Sequence, residues 1–276
     1  MNYYCLVAGL PDLHAEDAKG FLSPQELRVE LTGQLSVADA QLLTLLYAKY
    51  DNQNFLKYLK QHDTVLNPMG NLTSNDWEEL IALMQESENP QDNRLLPYFF
   101  SYYQYIHEEE HLNNGISPED YLSGLYYEYA MKANNEFLRS WFEFNLNLNN
   151  LQTAIACRKH GYDQQKLIVG HNEVARKLRH THARDYGIGG MFGYTDEVLK
   201  AAEESDLMER EKKIDAIKWA WLDEHTFFNY FSVEKILAFV LKTEMLERWR
   251  MLSFEEGAAI FRNLLTSLKQ GVIIKA

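Results

Sequence analysis

The pattern His-Glu-x-x-His, whose residue types could form a zinc site, occurs at residues 107–111. On a helix it places the imidazoles of His107 and His111 one turn apart on the same face, with Glu108 able to act as a base on a metal-bound water. Glu128 could in principle supply a third ligand, although its spacing does not single it out. A zinc-dependent hydrolase is therefore one hypothesis for this chain.

The residues around the motif weaken that hypothesis. Both positions between Glu108 and His111 are glutamates, whereas the neighbours in a zinc helix buried in a cleft are usually uncharged. In the longer form of the motif, Asn114 replaces the expected Gly and Ser117 replaces the expected third His. We interpret the segment as a solvated acidic helix end, and predict no catalytic residues, no metal and no cofactor.

Two other segments have a superficial likeness to ligand sites. The glycines at 187, 189, 190 and 193 lack a preceding strand and the spacing of a dinucleotide-binding loop, so we predict a flexible linker there. The segment from Arg176 to Arg184 is a basic island in an acidic chain. It is either a docking patch for an acidic partner or a solvated helix face, and Arg176 and Arg179 are our candidate contact residues.

The segment 142–161 places four asparagines among apolar residues: Asn145, Asn147, Asn149 and Asn150. Asparagine is a poor helix former, and its amide needs hydrogen-bond partners if it is buried. The strict alternation at 142–149 is also typical of a half-buried strand. Because no turn signal separates it from the helical sequence on either side and it lacks β-branched residues, we predict a helix. We expect the asparagines, with Arg158 and Lys159 at the basic end, to serve helix or subunit contacts rather than chemistry.

Composition limits the classes of function. The 276-residue chain has a formal charge of -13, which argues against nonspecific nucleic-acid binding. Cys5 and Cys157 are far apart and outside any CxxC spacing, which fits a reducing compartment. The sequence contains no signal-peptide pattern and no apolar run of about 20 residues, so we expect a cytoplasmic protein without a direct membrane span. Six aromatic residues within 98–105 exceed what one helix face can bury, so we expect most of them to pack in the core and some to face a partner.

Helical periodicity predicts an all-α protein with long helices. Ser23-Pro24 with Glu26, and Ser117-Pro118, are helix-start signals. Further helices are predicted from Ser36 onwards, with a kink or break at 51–54, and at 74–85, 98–112, 119–160, 196–205, 208–223, 233–251 and 254–269. The expected organisation is an N-terminal helical region at 1–165, a flexible Gly-rich and basic linker at 166–195, and a C-terminal helical region at 196–276. The alternative is one intertwined domain.

Two stretches carry a resemblance to a known family. Residues 147–159, followed by His160 and Gly161, are similar to the helix of the C (d-type) subunit of V-type and archaeal-type rotary ATPases, where an Asn-containing turn precedes an apolar, basic-ended stretch. Residues 232–250 are similar to the last helices of that family, with its charged positions matched here by Glu244, Glu247 and Arg248. The start, residues 3–12, resembles bacterial proteins of unknown function encoded beside V-type ATPase subunits.

The resemblance implies a protein without catalysis. It would be an all-helical funnel on the cytoplasmic face of the membrane proteolipid ring, holding the foot of the central stalk and passing torque for ATP-linked ion transport. Its partners would be the rotor-axle subunits and the proteolipid ring, which makes it peripheral on the membrane through the complex. The family's three-fold repeat of helical units is not evident in this sequence. A helical adaptor unrelated to rotary motors is a further alternative.

Overall fold

A computed structural model describes residues 3–14, 22–107 and 115–251 of the chain. These residues contain helices and no strand, which confirms the all-α prediction. The twelve helices are α1 (Tyr4–Gly9), α2 (Pro24–Thr32), α3 (Val37–Lys60), α4 (Ser74–Glu86), α5 (Pro97–His107), α6 (Pro118–Ala130), α7 (Glu136–His160), α8 (Gln164–Leu167), α9 (Glu173–His180), α10 (Thr195–Ala202), α11 (Leu207–Thr226) and α12 (Val233–Met251). The helix predicted at 254–269 lies outside the described residues.

Two predicted helix starts, at Ser23 and Ser117, are N-capped in the structure. The Ser23 hydroxyl accepts a hydrogen bond from the Glu26 amide, and the Ser23 amide donates to the Glu26 carboxylate, so α2 begins with a capping box. Ser117 also caps α6 through its hydroxyl, which accepts from the amide of Asp120 at 3.0 Å. Such caps satisfy amides that have no partner in the first helical turn, which is why these local signals predict helix starts well.

The structure lacks one helix break that was predicted and contains one that was not. Helix α3 passes through 51–54 without a break, because Asp51 and Asn54 point their side chains at a neighbouring loop instead of competing for their own backbone. The run predicted at 119–160 is two helices, α6 and α7, separated at 131–135. Asn135 ends the gap by capping α7, its side chain accepting from the amide of Leu138 at 3.0 Å.

The chain divides into two compact units, residues 1–36 with 219–276, and residues 37–218. This grouping differs from the three regions expected from the sequence. Residues 166–195, expected to form a linker, belong to the larger unit, where Tyr186, Ile188 and Phe192 are buried.

The larger unit is built around α7, which contacts α6, α8, α9 and α10. Leu138, Leu148 and Leu151 of α7 are completely buried. A second apolar centre joins α3, α4 and α5 through aromatic rings: the centroid of Phe55 lies 4.8 Å from that of Trp77 and 5.1 Å from that of Phe99. The aromatic stretch of α5 thus contributes to the core, with four of its rings buried, namely Tyr98, Phe99, Tyr102 and Tyr103.

The smaller unit packs α2 against α12. Leu27 and Leu31 of α2, and Ile236 and Leu237 of α12, are completely buried. The amide of Tyr3 donates to the carbonyl of Phe231 at 2.7 Å, which ties the start of α1 to the connection before α12.

Candidate functional site

The buried asparagines of α7 bind the loop that follows α8. Asn150 is 2% exposed, and its Nδ2 donates to the carbonyl of Val169 at 2.8 Å while its Oδ1 accepts from the Val169 amide at 2.9 Å. Asn147, one turn earlier, accepts from Nδ2 of Asn172 at 2.7 Å. Asn172 in turn caps α9 by accepting from the amide of Ala175 at 2.9 Å. The α7 asparagines therefore hold both the loop and the first turn of α9.

The other two asparagines of this helix bind a tyrosine of α6. Nδ2 of Asn145 and Nδ2 of Asn149 donate to the Tyr127 hydroxyl, at 2.9 and 3.3 Å. Burial raises the pKa of Tyr127, and the two amide donors oppose that shift. Every asparagine of the segment thus has a side-chain or backbone partner, which removes the cost of placing polar groups among leucines.

Helix α3 repeats the arrangement of α7. Asn54 is completely buried, and its Nδ2 donates to the carbonyl of Asn67 at 3.0 Å while its Oδ1 accepts from the amide of the same residue at 2.7 Å. Asp51, one turn earlier, accepts from the amides of Asn71 and Leu72 at 2.6 and 3.1 Å. The loop leads into α4, which is capped by Thr73.

We call each arrangement a brace: two buried polar residues three positions apart on a long helix, the second an Asn that binds both backbone groups of one loop residue. The α3 brace is Asp51 and Asn54, and the α7 brace is Asn147 and Asn150. The α3 brace was not predicted from the sequence, although both pairs of polar residues have the same spacing of three positions.

Each braced loop also contains a glycine that approaches another part of the unit closely. A Cβ on Gly70 would overlap the side chains of Asn54 and Asp51. A Cβ on Gly170 would lie 3.0 Å from Cδ2 of Leu146, and this glycine has a φ of +76°, which side chains disfavour. The loop bound by the α3 brace therefore requires glycine at position 70, and the loop bound by the α7 brace requires glycine at position 170.

Two of the predicted basic contact residues bind backbone carbonyls. The Arg158 guanidinium donates to the carbonyls of Ala183 and Arg184 at 2.9 and 3.2 Å and lies over the Tyr186 ring, 3.8 Å from its centroid. Arg179 donates to the carbonyls of Ile168 and Gly170. Burial lowers the pKa of Arg179, because it disfavours the charged form. These arginines organise the loops around α7 and α9.

The remaining basic candidates are exposed. Lys159 lies in the last turn of α7, where its positive charge interacts favourably with the negative end of the helix dipole. Arg176 lies on α9, and with Lys177 and His180 it lines a shallow groove. Glu173, Thr181 and Met191 complete the lining.

The charged candidates of α12 pair locally. Glu247 forms an ion pair with Arg250 of the same helix at 2.6 Å, and the Arg248 guanidinium lies 5.4 Å from the centroid of the adjacent Trp249 ring. Glu244 is half-buried one turn before Arg248. The role predicted for these residues between helical units stays a prediction.

A lysine that the sequence analysis missed links α12 to α11. Lys242 is 8% exposed, forms an ion pair with Asp223 and lies over the Trp219 ring, 4.5 Å from its centroid. Burial lowers the pKa of Lys242, and the hydrogen bond to Asp223 opposes that shift. The sequence offered a signal for this contact, because Lys242 directly follows the apolar run at 236–241.

Of the three residues in the zinc motif, the structure describes His107. His107 ends α5, where its Nδ1 lies 2.7 Å from the carbonyl oxygen of Tyr103. Glu108 and His111 lie outside the described residues. Glu128, the possible third ligand, lies 2.6 Å from Nδ1 of His171. Within 3–14, 22–107 and 115–251, no group of three or more His, Cys, Asp or Glu residues is placed to hold a metal ion.

Across the ranges that the structure describes, no helix combines the length and apolarity needed to cross a membrane. Neither the curated proteins nor the solved structures contain a match to the chain. One family model matches residues 1–272, and its description is "Protein of unknown function (DUF2764)". Because the match spans nearly the whole chain, the protein belongs to the DUF2764 family.

Proposed function

We propose that the protein is a non-catalytic central-stalk subunit of a V-type ATPase. In this role it joins the rotor-axle subunits to the membrane proteolipid ring and transmits torque during ATP-linked ion transport. It is cytoplasmic and peripheral on the membrane, held there through the complex. No zinc chemistry is assigned to the motif at 107–111.

The observation that carries the proposal is the occurrence of two braces. The resemblance of residues 147–159 to the C subunit implies an architecture of repeated helical units. The α3 and α7 braces support such an architecture, since each fastens a loop that precedes a shorter helix, α4 or α9, to a long helix. Hydrogen bonds to backbone groups resist displacement of the loop in a specific direction, which suits a protein that transmits force.

Exposed aromatic side chains supply a second line of support. Phe227, Phe228 and Tyr230, in the connection between α11 and α12, are 72%, 91% and 58% exposed within the described part of the chain. Aromatic residues are enriched at protein–protein interfaces because they bury a large apolar area with few rotatable bonds. A subunit held between two partners requires such contact surfaces.

Affinity purification from the native host tests the proposal. The tagged chain should recover the catalytic ATPase subunits, the axle subunits and the proteolipid together, and a tag on a catalytic subunit should recover this chain in return. An unrelated tagged cytoplasmic protein of similar charge serves as the control. An eluate in which the ATPase subunits are no more abundant than in the control would refute the assignment, and recovery of a different protein set would favour the unrelated adaptor.

A genomic comparison is a cheaper check. The genes beside the one that encodes this chain should include those for ATPase A and B subunits. Their absence in the native host would count against the proposal before any purification.

A further inference from the structure

Helix α9 has one buried and one charged face. Val174, Ala175 and Leu178 are buried against the rest of the larger unit. Arg176, Lys177 and His180 lie on the exposed side. The helix is therefore held by its apolar face, while its basic face is presented outwards.

The three exposed side chains differ from the anchored arginines nearby. Arg158 and Arg179 donate their guanidinium hydrogen bonds to backbone carbonyls. Arg176, Lys177 and His180 have no ion pair or side-chain hydrogen bond with any residue in the described ranges. Within the described ranges their side chains are therefore available to an acidic partner.

The groove beside this face has both charged and apolar character. Met191, 45% exposed, contributes apolar surface to the lining, and Glu173 is its acidic group. Arg176 and His180 are separated by one helical turn, a spacing of about 6 Å. A ligand that fits must place negative groups about one turn apart and offer an apolar group to Met191.

We propose that this basic face is a docking site for an acidic amphipathic helix of a partner protein. Glutamates or aspartates one turn apart on the partner helix pair with Arg176 and accept from the imidazole of His180, while Lys177 forms a further ion pair beside them. An apolar residue between the two carboxylates packs against Met191. The acidic remainder of the chain repels a nucleic acid, whose phosphates extend beyond so small a patch. The inference goes beyond the proposed function, since it applies whichever complex the protein joins.

Fluorescence anisotropy with defined probes tests the site on the full chain. The first probe is a labelled amphipathic peptide of about 16 residues, long enough for four helical turns, with glutamates on one face and leucines between them. The second is a peptide of the same composition in scrambled order, and the third is a single-stranded oligonucleotide of similar charge. The amphipathic peptide should bind, and its binding should weaken as salt rises, because exposed ion pairs are screened.

Two variants that each remove two positive charges distinguish a specific effect of the proposed site from a general effect of net charge. R176Q/K177Q removes two cations from the proposed face. K212Q/K213Q removes two cations from α11 that pair with Glu209 and Glu204 at 2.8 and 2.7 Å. The first variant should bind the amphipathic peptide about tenfold more weakly, as expected for two exposed ion pairs, and the second should bind it like the parent protein.

Each result decides for or against the proposal. Thermal melts that match the parent protein establish that the variants are folded. Absence of binding by the amphipathic peptide, equal binding of the scrambled peptide, preferential binding of the oligonucleotide, or equal losses in both variants would each overturn it.

Discussion

Replacing Asn150 with alanine removes the central contact of the α7 brace. The change leaves the amide and the carbonyl of Val169 without their partner, and these bonds measure 2.9 and 2.8 Å. A buried polar group left unsatisfied costs about 1 to 3 kcal/mol. Val169 is half-buried, so water can replace part of what is lost. We therefore expect a destabilisation of about 2 to 3 kcal/mol from the two bonds together.

Hydrogen exchange locates the effect within the chain. The Val169 amide should exchange about thirtyfold faster or more in Asn150→Ala, since each 1.4 kcal/mol of local stability corresponds to about a factor of ten. Urea denaturation of the full chain gives the accompanying loss in the free energy of unfolding. Asn149→Ala is the matched control on the same helix, because Asn149 is exposed and makes a single 3.3 Å bond to Tyr127. Its effect should stay within about 0.5 kcal/mol.

The second brace gives an independent comparison. Asn54→Ala should cost as much as Asn150→Ala and should accelerate exchange at the Asn67 amide, because the two asparagines make the same pair of backbone bonds. Unchanged protection at Val169, or a loss in Asn150→Ala no larger than that in Asn149→Ala, would refute the reasoning that the brace holds the loop.

Three further substitutions probe other contacts. Gly70→Ala should destabilise the protein by about 1 to 3 kcal/mol in urea denaturation, because its Cβ would overlap the α3 brace; a stability equal to the parent would contradict the crowding. Arg158→Gln should cost about 1 kcal/mol through its lost carbonyl and ring contacts, whereas Lys159→Gln, removing the same charge from the next position, should be neutral in thermal melts. Asp223→Asn should cost about 1 to 2 kcal/mol by leaving the buried ammonium of Lys242 without its charged partner, and an unchanged melting temperature would show that this ion pair contributes little.

Much of the fold was accessible from local sequence. The capping signals at Ser23 and Ser117 mark helix starts in the structure, because a cap requires residues within one turn of each other. The choice of helix over strand at 142–149 is confirmed by α7, although the alternation there was typical of a strand. Leu146, Leu148 and the intervening Asn147 are all buried, because α7 is surrounded by other helices of its unit.

The helix breaks show where local reasoning failed. Asp51, Asn52 and Asn54 were expected to kink or break α3 because short polar side chains compete with a helix backbone. The side chains of Asp51 and Asn54 instead bind a loop that is distant in sequence, so the helix continues. The gap before Asn135 was missed because the sequence on both sides has helical character.

The sequence by itself determined the all-α class, the helix starts and the presence of polar residues that need partners. Only the tertiary structure decided which partners they have. Asn150 binds the backbone of Val169, and backbone groups are the same at every non-proline residue, so no side-chain pattern could identify the loop. The same holds for the basic island at 176–184. Arg179 donates hydrogen bonds to backbone carbonyls whereas Arg176 is exposed, although both belong to one short helix.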